Sequence, residues 1–402
     1  MLNRISKIFP LYIVGGFLRD EILGIEANDI DYCCIANQHK FEKAFPELQK
    51  VGKSFPVYLN TDGSEIALSR SEICNGNTYQ SFECVTGVPV EIDLGRRDIT
   101  ANSIAKCFST GKYIDPYNGI EDIKNRIIRC VNKEAFVDDP LRLLRICRFK
   151  AKHPEFIIHP ETLQLMLDNI HRLKDITMER IELELRKTYE QSETPSIFFN
   201  YLKSLEGLDI HFQELDKATT MLAGKPEFHP EGSVFNHLME SFDSAKKNGY
   251  SYDVAIAALV HDLGKIESPN PPSHIMHECH IEVLDAFFER HRFSTHIMEL
   301  SKVVFKHHMK IHYLSAMKDI KKIRFIRRIP RHLREEYIQA CNCDAPLSEI
   351  QLDIFKKVCE AIDTATKGKK VEIEAFVKTH KTKEAIDNFI NNIILNKYKE
   401  IK

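Results

Sequence analysis

The stretch "YIVGGFLRDEILGIEANDIDYCCIAN", residues 12–37, decides how the chain folds. An apolar, β-prone run ends at Gly15-Gly16, a helical segment "FLRDEILG" follows, and a second strand-like run opens on Asp29-Ile30-Asp31. Strand, glycine turn, helix and strand in that order predict a mixed α/β sheet. Side chains alternate along a strand, so Asp29 and Asp31 share one face while Ile30, Tyr32 and Cys34 take the other. Two ionised carboxylates that close repel unless a cation lies between them, and hard oxygen donors suit Mg²⁺. The pair reads either as a metal site or as a solvent-facing acidic edge. The glycines either make a tight turn or let backbone N–H groups approach a phosphate just before a helix N-terminus. Together with Arg19 they describe a site for a metal-bound triphosphate.

Around this stretch, "FPVYLNT", "EIALSRSE", "VPVEIDL" and "KYIDPY" read as further strands, with "HKFEKAF" and "DITANSIAKCF" as helices. From about residue 121 the pattern becomes helical, in "PLRLLRICRFKAKH", "PETLQLMLDNIHRL" and "MERIELELRKTYEQ". The loop "AGKPEFHPEGS" at 223–233 makes a domain boundary. The expected class is α+β: a mixed-sheet N-terminal domain followed by all-helical ones.

The chain has 402 residues, 43% apolar and 28% charged, which is the composition of a globular protein with room for several cores. No apolar run reaches the roughly 20 residues of a membrane span, and the N-terminus lacks a signal-peptide pattern, so the cytoplasm is expected. Eleven cysteines without paired CxxC spacing are expected as reduced, mostly buried thiols. A net charge of −2 excludes nucleic-acid binding by bulk positive charge and leaves local patches open. The densest basic run, "KDIKKIRFIRRIPRHLR" at 318–334, is either the solvated face of an amphipathic helix or an RNA-backbone contact.

Two further clusters carry chemistry. In "GRRDITANSIA", residues 95–105, Arg96 and Arg97 lead into a helix capped by Asp98, with Asn102 one turn later. In "DDPLRLLRICRF", residues 138–149, Asp139-Pro140 starts a helix, and Arg142, Arg145 and Arg148 recur every third residue as a basic ridge suited to phosphate or base contacts. In the second half, "DVAIAALVHDLGKI" places His261-Asp262 at the end of an apolar helix, where the pair can ligate a metal with His237 and Asp344 as distant partners. Taken singly, His237 reads as a surface or satisfied core residue rather than as a ligand.

The motifs "VGGFLRDEILG", "DID", "RRDITANSIA" and "DDPLRLLRICRF", in this order, resemble the class II nucleotidyltransferases of the polymerase-beta superfamily, specifically the bacterial CCA-adding tRNA nucleotidyltransferases. The resemblance implies a polymerase-beta-type head at 1–122, a helical neck and body at 123–224, and template-independent addition of C, C and A to tRNA from CTP and ATP. It assigns Asp29 and Asp31 as catalytic ligands of two Mg²⁺ and Gly16 and Arg19 to the triphosphate. Arg97, Arg145 and Arg148 fall to sugar or phosphates, and Asp139 with Arg142 to the base. The physical argument supports that last pair: cytosine and adenine each present an amine donor beside a ring-nitrogen acceptor, which an aspartate and an arginine side by side complement. Asp138 stands where the family usually has Glu. No third catalytic carboxylate is placed; Glu72 and Glu91 are candidates.

His237, His261-Asp262 and Asp344 resemble the HD phosphohydrolase superfamily, which implies an HD domain at 225–345 and a C-terminal helical tail at 346–402. His277 and His308 match additional histidines of its phosphodiesterase members, with His307 and His312 as rivals for His308. The multifunctional bacterial type carries such a domain. There it implies 2′,3′-cyclic phosphodiesterase, 2′-nucleotidase and phosphatase activity with Ni²⁺, Mn²⁺ or a similar transition metal, or Mg²⁺. The sequence lacks the Arg-Gly-Arg that often follows the last aspartate and reads "DAPLSE". A poly(A) polymerase, or a tRNA-binding protein with inactive sites, is the alternative. The expected partners are tRNA, CTP and ATP, with no membrane, and the expected state is a monomer or homodimer.

Overall fold

The computed structural model describes residues 1–26, 30–51, 57–60, 62–74, 82–227, 229–267, 279–367, 369–380 and 382–402. Two compact units result, one of residues 1–192 with 197–211 and the other of 193–196 with 212–402.

The first unit is built on a seven-stranded sheet. Its strands are β1 (Leu11–Val14), β2 (Asp31–Cys34), β3 (Gln49–Val51), β4 (Val57–Leu59) and β5 (Glu65–Leu68), then β8 (Ala105–Cys107) and β9 (Tyr113–Ile114) after a separate hairpin of β6 (Arg70–Cys74) and β7 (Phe82–Thr86). The order is β3-β4-β5-β2-β1-β8-β9, with only β2 and β5 parallel. The alternation expected of β2 holds: Tyr32 and Cys34 pack in one core with Phe41, Phe45 and Tyr58, whereas Cys33 packs on the opposite face with Val14, Val90 and Leu94. Asp31 therefore shares the Cys33 face. Antiparallel pairing sets Val14 opposite Asp31, so the turn leaving β1 lies beside the start of β2.

Two local expectations fail. "VPVEIDL" folds as a helix, Val90–Gly95, not a strand. Its apolar spacing satisfies both periods, and Val90 and Leu94, four apart, are buried while the intervening Ile92 is 48% exposed. "DITANSIAKCF" makes only a 3₁₀ turn, Thr100–Asn102, before entering β8. Asp98 spends its carboxylate on Ile99 N–H and Asn102 Nδ2 instead of opening a longer helix. Beyond residue 124 the unit is helical apart from a two-residue parallel pairing of Ile127–Ile128 with Ile157–Ile158. The helix Leu141–Lys152 buries Leu143, Leu144, Ile146 and Cys147, leaving its arginine ridge on the other side.

The named elements of the second unit are all helices among its described residues, with one isolated antiparallel bridge between Leu222 and Ser233. Helices starting at Val234, Tyr252, Thr295 and Glu349 are each capped by a serine side chain, those of Ser233, Ser251, Ser294 and Ser348. The core joins Val254, Ala257, Leu300, Val304, Tyr337 and Phe355, and the C-terminal helix Lys383–Ile401 completes it with Ile393, Ile394 and Tyr398. No helix among the described residues is long and apolar enough to cross a membrane. Of the described cysteines, all free thiols, Cys33, Cys34, Cys147, Cys341 and Cys343 are buried but Cys279 is exposed, so burial is less general than expected.

Candidate functional site

The β1–helix turn, the 96–102 segment and the arginine ridge converge on one cleft of about 860 Å³ in the first unit. Gly16, Arg19, Asp31, Arg97, Asp139, Arg142, Arg145 and Arg148 all line it. Asp29 lies outside the described residues.

Gly15 sits at φ +82°, a conformation L side chains rarely adopt, and a Cβ there would stand 3.3 Å from Asp31 Oδ2. At Gly16 a Cβ would meet the Arg19 guanidinium at 3.2 Å. Glycine at both positions lets an acid and a cation close on the same turn. Arg19 is only 6% exposed, paired with Asp20 at 2.7 Å, hydrogen-bonded to Asn102 Oδ1 at 2.8 Å and set 5.2 Å above the Phe149 ring. Such multiple anchorage fixes its orientation.

Buried carboxylates hold the neighbouring arginines. Asp93 binds Arg96 at 2.8 Å and Arg97 at 3.3 Å; burial opposes its ionisation, but the two guanidiniums more than offset this and keep its pKa low. Asp98 does the same for Arg145 at 2.7 Å, and despite burial its pKa lies well below the carboxylate range because of Arg145 and Asn102. Arg148 is held by Glu184 at 2.7 Å and Gln191 at 2.9 Å. Arg142 donates to the backbone carbonyls of Arg97 and Arg96. Asp139 accepts from Leu141 N–H at 3.1 Å, the helix-start role, and from Arg180 at 3.0 and 3.1 Å. Asp98 and Glu184 as anchors, and Arg180 as the partner of Asp139, went unread because nothing in "MERIELEL" distinguishes Arg180 from an exposed helix charge.

Glu65, not Glu91, is the carboxylate beside Asp31: the two pair across parallel strands β5 and β2, and both line the cleft. Glu91 is exposed on the 90–95 helix and does not line it, and the Glu72 side chain lies outside the described residues. Carboxylates at the edge of an arginine-lined cleft fit a hard divalent cation that joins protein oxygen to phosphate oxygen.

A second constellation is confined to the other unit. His237 enters from the first turn of the Val234–Lys247 helix, His261 and Asp262 follow the Tyr252–Val260 helix, and Asp344 ends the Arg334–Asp344 helix. His237 Nε2 lies 3.3 Å from His261 Nε2 and 3.1 Å from Asp344 Oδ1, and His261 Nε2 lies 3.4 Å from Asp262 Oδ2. His308 and His312, one turn apart on the Thr295–His312 helix, reach Asp262 and Asp344 at 3.3 Å each. His307 instead faces Phe325, and His277 lies outside the described residues. Lys265 contacts Asp262 at 2.6 Å.

The donor set fits a transition metal. His237, His261 and Asp344 bring one donor atom each to within 4.8 Å of one another, as do His261, Asp262 and His308. The far nitrogens are already engaged, His261 Nδ1 with Ala258 O at 2.7 Å and His308 Nδ1 with Val304 O at 3.1 Å, which turns Nε2 inward. Burial would depress His261, yet Asp262 and Asp344 raise its pKa to about 10, the response of a pocket that attracts positive charge.

In the 318–334 run, Ile323, Phe325 and Ile326 are buried, while Arg324 donates to Asn388, Arg327 to Asn391 and Arg334 to Asp363. These three guanidiniums tie helices of their own unit together.

The family described as Poly A polymerase head domain matches residues 11–129, and that described as probable RNA and SrmB-binding site of polymerase A matches 155–219. The Multifunctional CCA protein of Acinetobacter baumannii is 38% identical over 351 residues, covering 83% of this chain and 84% of that protein. The fold matches Bacillus stearothermophilus CCA-adding enzyme in complex with CTP, with a TM-score of 0.66 and 22% identity over 98% of this chain and 93% of that one. It also matches Thermotoga maritima CCA-adding enzyme complexed with tRNA, with a TM-score of 0.62 and 21% identity over 98% and 91% of the two chains.

Proposed function

This chain belongs to the family of CCA-adding enzymes, and from that premise we propose that it adds C, C and A to the 3′ end of tRNA from CTP and ATP, releasing pyrophosphate. The observation that carries the reading is the single cleft gathering Gly16, Arg19, Asp31 and the arginines of two distant segments. In it the turn at Gly16 and the anchored Arg19 hold the triphosphate, while Arg97, Arg145 and Arg148 hold sugar and phosphates. Asp29 and Asp31 hold Mg²⁺, which when bound supplies activation of the tRNA 3′-hydroxyl and charge neutralisation at the α-phosphate. A carboxylate has about four acceptor sites. Arg180 and Leu141 N–H account for three contacts at Asp139, so the exocyclic amine of cytosine or adenine takes the next. Arg142, braced on two carbonyls in this structure, donates to the ring nitrogen of the same base.

The buried cluster supports a second activity: metal-dependent hydrolysis of phosphoric esters, including 2′,3′-cyclic phosphates, 2′-nucleotides and phosphomonoesters. His237, His261, Asp262 and Asp344 would hold Ni²⁺, Mn²⁺ or Mg²⁺, with His308 beside them; His277, outside the described residues, is proposed as a further ligand from the sequence resemblance alone. When bound, such an ion would lower the pKa of a coordinated water so that it could act as nucleophile near neutral pH. Within this reading the chain comprises a head at 1–122, neck and body at 123–224, hydrolase domain at 225–345 and helical tail at 346–402, working in the cytoplasm.

The head family's description leaves poly(A) synthesis as the second reading. Labelled CTP separates them. Wild-type protein is expected to incorporate it into a tRNA transcript lacking CCA and Asp31→Ala is not; incorporation of ATP alone would give the head to the poly(A) polymerases.

A further inference from the structure

The loop read from sequence only as a domain boundary, "HPEGS", places two side chains against the histidine cluster. Glu231 Oε1 lies 3.0 Å from His237 Nδ1 and 2.8 Å from His229 Nδ1. The Glu231 side chain is 6% exposed, and the His229 ring stands nearly perpendicular to that of His237 with centroids 5.3 Å apart. His237 thus has its two nitrogens divided: Nδ1 faces Glu231 and Nε2 faces His261 and Asp344.

His229, Glu231 and His237 are close enough to hold an ion of their own. Chemistry favours a different use. A second ion would take the Nδ1 lone pair of the imidazole whose Nε2 serves the first group, leaving that ring without a proton on either nitrogen. A carboxylate at Nδ1 instead keeps the proton there, fixes the tautomer and makes Nε2 more basic. His261 and His308 achieve the same at Nδ1 with neutral backbone carbonyls, whereas the Nδ1 of His237 faces a charged carboxylate, and that partner comes from a loop outside the helices.

We propose that Glu231 is a positioning residue that sets the tautomer and ring orientation of His237 for metal binding, and that His229 anchors Glu231 through its second contact. The proposal rests on reading the buried cluster as a metal centre. It predicts that Glu231→Ala lowers metal affinity 10- to 100-fold. Glu231→Gln, whose amide oxygen still accepts from Nδ1–H but carries no charge, falls between Ala and wild type.

The test is a Co²⁺ titration of the full chain followed by the visible ligand-field band of imidazole-ligated Co²⁺, whose position is shifted from that of Co²⁺ in an oxygen-only site such as the head's because imidazole nitrogen is the stronger-field donor. Wild type, Glu231→Ala, Glu231→Gln and His261→Ala are compared, with CTP incorporation into tRNA as the control for folding. Weakened Co²⁺ binding in the graded order Ala, Gln, wild type, with CTP incorporation equal, supports the proposal. Wild-type affinity in Glu231→Ala, while His261→Ala loses the band, overturns the positioning role and leaves the metal centre standing. Absence of the band in wild type overturns the metal centre and the role of Glu231 with it. Should Glu231→Ala lose CTP incorporation through misfolding, Glu231→Gln decides alone: a drop of about threefold or more supports the role, and wild-type affinity overturns it.

Discussion

The two constellations invert each other's electrostatics. The cleft of the first unit is lined by Arg19, Arg97, Arg142, Arg145 and Arg148, with Asp31 and Glu65 among the carboxylates beside them. The cluster of the second unit is buried, made of imidazoles and the carboxylates Asp262 and Asp344, with Lys265 contacting it. An open, cation-lined cleft suits a polyphosphate; a buried imidazole–carboxylate pocket suits a metal ion. The anchoring differs as well. Arginines in the cleft are held by buried carboxylates such as Asp93 and Asp98, so their geometry precedes any ligand. In the second unit the histidines are turned by contacts at their far nitrogens.

Substitutions that separate the two sites should have the largest effects. Asp31→Ala is expected to lower CTP incorporation by about 10³-fold or more while leaving cyclic-phosphate hydrolysis intact. Conversely, His261→Ala should abolish hydrolysis of 2′,3′-cAMP and leave incorporation unchanged; loss of both activities in either variant would couple sites that the account keeps apart. Next comes base choice. Arg142→Ala removes the donor of the selecting pair, costing about 1–3 kcal/mol of discrimination, so the preference of CTP over UTP should fall roughly 10- to 100-fold in competition assays.

His153, packed at a tilt against Phe149 and Phe156, has its pKa depressed to about 4 by burial, with Arg19 and Lys152 adding to the shift. Its unfolded value is about 6.5, so the native state binds fewer protons between the two values. Stability from this residue is present above pH 6.5 and is lost as pH falls towards 4, by roughly 3 kcal/mol. Denaturant melts of His153→Phe should show a correspondingly shallower acid limb than wild type. The smallest effect is expected at Arg327, tied to Asn391 and Asp387. Arg327→Ala should change tRNA affinity less than twofold and stability by no more than about 1 kcal/mol; a large loss of tRNA binding would make the 318–334 run an RNA contact.

Much of the first site was legible because its parts are local. The Gly15-Gly16 turn, the alternation of β2 and the three-residue spacing of the arginines follow from backbone geometry within single segments. The helix at 90–95 was misread because Val88, Val90, Ile92 and Leu94 fit a period of two as well as a spacing of four. Asp98 was read as a helix cap, whereas its carboxylate is spent on Arg145 from a segment 47 positions later, a contact that no local pattern reveals. The same holds for Arg180 on Asp139 and for Glu231 on His237. In each case the partner is an ordinary charged residue, and only the tertiary structure gives it a role.

The most direct test of the account offers purified protein tRNA transcripts ending before CCA, after C and after CC, with Mg²⁺ and each labelled nucleotide in turn. The account predicts C on the first two, A on the third, and no growth beyond the completed end. A ladder of A without C, or the absence of any incorporation, would contradict it.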